Sequence, residues 1–336
     1  MARSSYKNKT RSLQPAVMKL HFAAPVNSTN FVSISHSVSR LNRRFYRQGL
    51  NWAVANVRVT IQPAQAASVG SSCYVNSIPH TWSVANSWQK SFSAWKRQQD
   101  EAIAESGSES AVAAFRDFKI SADIDHIVGS DLSPISMGPG VTAGPYAPGL
   151  IVGQAIDPSE EWEASQIVLP NAGPDATGTV NQPLEYTLHM VGPDTSSSKG
   201  LVSGYQNSRS YPQSPDPVSP VIGAWDNWMG NMFDVGGDIS DVVTNATERN
   251  DELPYDQTEY PGGPVNFTSL ETQGYVLNQS TVGMNTYNTG PFTAPCGIIR
   301  FDFHDQAPGE LLYNIITVTL VPGKHRGYLA ETMEEF

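Results

Sequence analysis

Along most of the chain apolar and polar residues alternate one by one, the period of a half-buried strand and not the 3.6-residue period of a helix. The run WAVANVRVTIQ at 52–62 is the clearest case: Val57, Val59 and Ile61 face one way, Arg58, Thr60 and Gln62 the other. The same reading predicts strands over 17–22, 31–35, 73–77, 117–124, 149–156, 166–169, 185–191, 297–304 and 311–321. Turn-forming residues separate nearly all of them. So many strands without βαβ units predict an all-β chain built as an antiparallel sandwich.

Two segments break this rhythm. At 83–105 Val84, Trp88, Phe92 and Trp95 recur at spacings of four, four and three, which predicts a long helix stopped by Gly107. Its aromatic stripe reads as core before it reads as a ligand platform. At 37–49 (SVSRLNRRFYRQG) Arg40, Arg43, Arg44 and Arg47 stand at i, i+3, i+4 and i+7. That spacing puts four guanidinium groups on one helix face, with Val38, Leu41 and Phe45 on another. Ser35 or Ser37 is the expected start and Gly49 the expected end of this helix. Two stretches, 129–149 and 192–295, carry weak strand signal and are expected to be long surface loops.

Charge changes the picture most. Residues 1–99 hold thirteen Lys and Arg and no Asp or Glu; the rest of the chain holds eight Lys and Arg against all 32 acidic residues. The net charge of −11 hides this segregation. It predicts a basic surface for a polyanion, set apart from an acidic surface that would repel one. Contacts between oppositely charged regions or subunits are the competing account. Residues 1–14 (MARSSYKNKTRSLQ), with Arg3, Lys7, Lys9 and Arg11, read as a basic arm with nothing to bury. The four arginines of 40–47 repel one another unless an anion neutralises them, and phosphate suits their fork geometry.

Catalytic signatures are missing from the pattern. The glycines at 138, 140 and 144 do not make a dinucleotide fingerprint, and neither a phosphate-binding loop nor a nucleophile elbow occurs. The seven histidines are scattered, and Cys73 and Cys296 make neither a zinc pair nor a disulfide framework. Asp302 and His304 fall on one strand face, where a local pair is expected. Asp234, Asp238 and Asp241 lack calcium-loop spacing. No apolar run reaches the roughly 20 residues of a membrane span, and no secretory h-region follows Met1. The expectation is a soluble protein without enzyme activity, cofactor, metal or membrane contact.

The basic arm, NRRFYRQG at 42–49, the alternating strand after it and TWSVANSWQKSFSAWKRQQDEA at 81–102 resemble capsid proteins of circular Rep-encoding single-stranded DNA viruses, especially those of uncultured, stool-associated members. The likeness is strongest over 15–125, with an echo in CGIIRFDFHD at 296–305 and ITVTLVPG at 316–323. It implies a single viral jelly roll, two four-stranded sheets with long loops and one or two helical insertions. The arm would span 1–14 and the shell domain 15–336. The implied product is an icosahedral shell, commonly of sixty copies, around a circular single-stranded DNA genome. The virion would be its location, with assembly in the host nucleus or cytoplasm. The implied nucleic-acid-binding residues are Arg3, Lys7, Lys9, Arg11, Arg40, Arg43, Arg44 and Arg47, with little sequence preference and an unidentified host receptor. The arm is shorter than in many relatives, which shifts weight onto 40–47. A small RNA virus capsid, a jelly-roll carbohydrate-binding module or glycosidase, and a nonviral nucleic-acid-binding protein remain as other readings.

Overall fold

The computed structural model describes residues 16–66, 69–107, 116–129, 131–135, 163–169, 183–210, 229, 269–307 and 313–333. In chain order these form β1 (Lys19–Pro25), β2 (Thr29–Ser33), α1 (Ile34–Asn42), β3 (Leu50–Ile61), β4 (Ser71–Ser77), α2 (Trp82–Ser106) and α3 (Ile124–Val128). There follow β5 (Gln166–Leu169), β6 (Leu184–His189), β7 (Ser198–Gly200), α4 (Leu201–Ser210), β8 (Glu271–Asn278), β9 (Asn285–Asn288) and β10 (Phe292–Ala294). The described chain closes with β11 (Ile298–His304), β12 (Tyr313–Leu320), β13 (Pro322–Gly323), β14 (Gly327–Tyr328) and β15 (Ala330–Thr332). The protein is mostly β, and its two main sheets are antiparallel.

The first sheet runs β1-β12-β3-β10, with β9 and β15 also paired to the long β3; the second runs β2-β11-β4-β8. Both sheets therefore alternate strands from the two halves of the chain. Lys19 lies opposite Thr319 and Val32 opposite Ile299, so neither half can complete a sheet alone. Alternation then sends one face of each sheet inward. Leu20, Phe22, Trp52, Val57, Val59, Ile316 and Val318 of the first sheet meet Val32, Val75, Val276, Ile299, Phe301 and Phe303 of the second. Burying such faces is the main stabilising contribution to a sandwich.

A second cluster lies on the far side of the second sheet. Phe31 and Ile298, the outward neighbours of Val32 and Ile299, meet Trp88 and Trp95 of α2, Phe118 and Ile120, and Ile167 and Leu188 of a small sheet, β5-β6-β7, whose last pair is parallel. The long helix is as expected. Thr81 accepts a hydrogen bond from the Val84 N–H at its start, and Gly107 ends it in left-handed geometry (φ 65°). The Asp123 carboxylate caps α3 by accepting from the His126 N–H.

Three expectations are corrected. The segment 117–124 is not a strand: only Ser121 and Ala122 bond to the end of β6, and the chain then turns into α3. Side chains take several of its other backbone groups, and the Ser165 N–H donates to the Lys119 carbonyl. Gln48 receives the Ile120 N–H at 2.6 Å and donates to the Ile120 carbonyl at 2.9 Å, and Ser165 Oγ accepts from Lys119 N–H. The stretch 192–295 is not loop throughout, because β7, α4, β8, β9 and β10 lie in it. The signal was weak in β8 because it is a sheet edge, with Glu271, Tyr275 and Leu277 exposed and Gly274 within it. Asp302 does not pair with His304. It receives both hydrogen bonds from Arg300 Nε and one each from Thr29 and Asn76. The expected strand at 149–156, residues 234–241 and most of 129–149 lie outside the described residues.

Candidate nucleic-acid interface

The arginine segment folds differently from its spacing. Helix α1 begins at Ile34, earlier than expected, and ends at Asn42. Arg43 is left-handed (φ 51°), and the N–H groups of Arg43 and Arg44 both reach the Ser39 carbonyl. This closes the helix in a Schellman-like turn. Ser39 Oγ then accepts from the Tyr46 N–H at 2.9 Å, which folds the chain back. The reason is burial: Tyr46 is 1% exposed inside the sandwich cluster, packed edge-on against Tyr328, and a straight helix would carry it away. Four arginines on one helical face is thus overturned. Arg40 sits half-buried on α1, and Arg43, Arg44 and Arg47 are exposed around the turn after it. Leu41 is 39% exposed, so Val38 and Ile34 anchor the helix. Gly49 does not stop it either. A Cβ there would lie 2.1 Å from Trp88 Cζ2, so the position exists for close approach of that indole.

The turn is clipped to two other segments. Asn42 Oδ1 accepts the Val17 N–H at 3.1 Å, while its Nδ2 donates to Tyr328 Oη, which donates in turn to the Val17 carbonyl at 2.7 Å. Tyr46 Oη donates to the Arg326 carbonyl at 3.0 Å, and the Arg326 guanidinium donates to the Phe45 carbonyl. The start of the described chain, the turn after α1 and the β13–β14 hairpin therefore form one corner. Arg3, Lys7, Lys9 and Arg11 lie outside the described residues, but the chain that carries them joins the fold at this corner.

The corner is strongly cationic. Residues 16–18, 40–47 and 322–328 contribute Arg40, Arg43, Arg44, Arg47, Lys324 and Arg326 and no carboxylate side chain. Lys324 and Arg326 are exposed and had not been singled out from the sequence. Their signal was the glycine-flanked KHR turn, three basic residues where a tight hairpin must expose them. The Arg44 guanidinium lies beside the Tyr46 and Tyr328 phenols; burial pushes the Tyr328 hydroxyl up to about 12, so it stays a donor. Burial, with Arg326 alongside, lowers His325, and burial takes His36 down to about 4. At neutral pH both are uncharged, and the positive field comes from arginine and lysine alone. Exposed Lys19 and Arg58 extend it onto the outer face of the first sheet.

Guanidinium groups held at fixed backbone positions bind phosphate oxygens in bidentate fashion without reading bases. The other charged cluster is of a different kind. Arg300 binds Asp123 at 2.5 Å, Asp125 at 2.8 Å and Asp302 at 2.8 Å, pinning α3 to the second sheet with its charge already neutralised. Among the described residues no group of three His, Cys, Asp or Glu is placed to hold a metal ion, and no helix is long and apolar enough to cross a membrane. Cys73 and Cys296 are buried free thiols, raised by burial and held as thiols. No family model matches the chain, and no curated protein or solved structure matches it.

Proposed function

We propose that the chain is the capsid protein of a circular Rep-encoding single-stranded DNA virus, a single jelly roll that self-assembles into an icosahedral shell and packages its genome through a basic inner surface. The observation that carries this reading is strand order. Count the eight principal strands in chain order as β1, β2, β3, β4, β8, β10, β11 and β12. The sheets then run first-eighth-third-sixth and second-seventh-fourth-fifth. This interleaving of four principal strands in each sheet supports the double Greek key of a jelly roll. The cationic corner supports the second half of the reading. It gathers Arg43, Arg44, Arg47, Lys324 and Arg326 where the basic arm joins the fold, as sequence-independent phosphate binding requires.

The test is negative-stain microscopy of the purified protein with a 260/280 nm absorbance ratio on the same fraction. Uniform closed particles carrying nucleic acid are expected. A monodisperse monomer across salt and pH overturns the reading and leaves a monomeric binding module.

A further inference from the structure

We infer that a cavity beside the cationic corner is a binding pocket for one unpaired nucleotide of the packaged strand; the inference rests on the nucleic-acid half of the reading above. The cavity has a volume of about 720 Å³ and opens between the turn after α1, the helix α2, the segment 116–118 and the β13–β14 hairpin. That size is ample for one nucleotide, within the range of small-molecule sites. Its walls divide into two chemistries. Phe45 and Phe92 are half-buried rings on its surface, and Trp88 and Phe118 continue the aromatic wall behind them. Trp88 and Phe92 are already stacked, with ring centroids 5.0 Å apart and 13° between planes. Arg47, Arg116 and Arg326 supply the cations. Arg116 is paired with Asp100. Arg326 keeps further donors beyond its bond to the Phe45 carbonyl, and Arg47 has Asp117 nearby as the carboxylate in the wall, so these two arginines are the ones that face a ligand phosphate.

An aromatic wall beside arginines selects for a ligand that is flat at one end and anionic at the other. A stacked base contributes about 1–3 kcal/mol in such sites and is tolerant of sequence. Continuity decides the occupant. Arg47 and Arg326 belong both to this cavity and to the surface where the arm joins the fold, so a strand held there by its phosphates needs only to turn one base inward. The pocket converts a purely electrostatic contact into one with a salt-resistant part, because stacking is not screened as ion pairs are.

The experiment uses the full chain, stripped of nucleic acid in high salt, titrated with deoxyadenosine monophosphate and followed by tryptophan fluorescence and calorimetry. Saturable binding with quenching is expected, with inorganic phosphate and deoxyadenosine each at least about tenfold weaker. Phe45→Ala and Arg326→Gln should each weaken the nucleotide about tenfold. Photocrosslinking of an oligothymidylate to the unaltered protein avoids any folding defect of the variants, and its adducts should map to peptides containing Phe45 or Phe92. Adducts confined to residues 1–14 and Arg43–Arg44, or equal binding of phosphate and nucleotide, overturn the inference. So does a nucleotide that binds only after residues 334–336 are removed, since the cavity would then belong to the chain's own end. Particle formation reads the capsid proposal independently of all these outcomes.

Discussion

The space between the two main sheets and the layer behind the second sheet are both filled with apolar side chains, yet they are held in different ways. Between the sheets, backbone groups are satisfied strand to strand, and Phe22, Trp52, Phe301 and Ile316 fill the gap by simple alternation. Behind the second sheet, α2, α4, the small β5-β6-β7 sheet and the irregular segment 116–123 meet, and single polar side chains hold that irregular segment where ladders serve elsewhere. Gln48 serves the backbone of Ile120, Ser165 that of Lys119, and Arg300 ties down α3. The two regions share β2 and β11, whose successive residues point to opposite sides. A frame made by periodicity is thus carried by many equivalent contacts, while the irregular part of the layer depends on individual side chains. The proposed pocket sits at the seam, between Leu50 of one cluster and Trp88, Phe118 and Met333 of the other.

The largest expected effect comes from the frame. Phe301 is fully buried on β11, between β2 and β4. Phe301→Ala should cost about 3–5 kcal/mol through lost burial and a residual cavity. Because every strand of the frame pairs with one from the other half of the chain, the loss should appear as one cooperative transition at lower denaturant. Near-ultraviolet dichroism, to which Trp82, Trp88 and Trp95 of α2 contribute together with Trp52 of the frame, should be lost at the same midpoint as far-ultraviolet signal. Separate midpoints would show the layer behind the second sheet to be a unit of its own.

A smaller and more local effect is expected from Gln48→Ala. Gln48 is buried, and its amide satisfies both the N–H and the carbonyl of Ile120. Leaving buried groups unsatisfied costs about 1–3 kcal/mol each, less whatever water can reach them. Hydrogen exchange at Ile120 should speed up by one to two orders of magnitude, roughly what 1.4–2.8 kcal/mol gives. Amides of β3 and β12 should keep their protection. Faster exchange in both regions alike would erase the distinction between frame and layer.

The same distinction governs what the sequence disclosed. Strands β3, β5, β11 and β12 were legible because alternation is a property of each strand alone, and α2 because its aromatic stripe, cap and Gly107 are all local. The segment 117–124 was misread because its alternation is real, with Phe118, Ile120 and Ala122 buried, but its hydrogen-bond partner is a side chain 72 residues away from Ile120. The arginine spacing was misread for a similar reason. Nothing local forbids a helix through Tyr46; what ends it is a core position for that ring, fixed by Tyr328 near the other end of the chain. The contribution of Lys324 and Arg326 depends on the same long-range closure, which no local pattern contains.

The smallest effect separates structure from binding at that corner. Arg43 takes a left-handed backbone conformation that glycine adopts without a steric penalty, at the position where helices commonly carry glycine. Arg43→Gly therefore removes an exposed cation while relieving backbone strain, and stability should stay level or rise by up to about 1 kcal/mol. Binding of a single-stranded oligonucleotide should nevertheless weaken. The slope of log affinity against log salt should fall by about 0.7, the value of one phosphate contact on a single strand. The gain in stability and the loss of slope run in opposite directions, so a general loosening of the fold cannot imitate the result. An unchanged slope would remove Arg43 from the interface and leave the turn's conformation as its whole role.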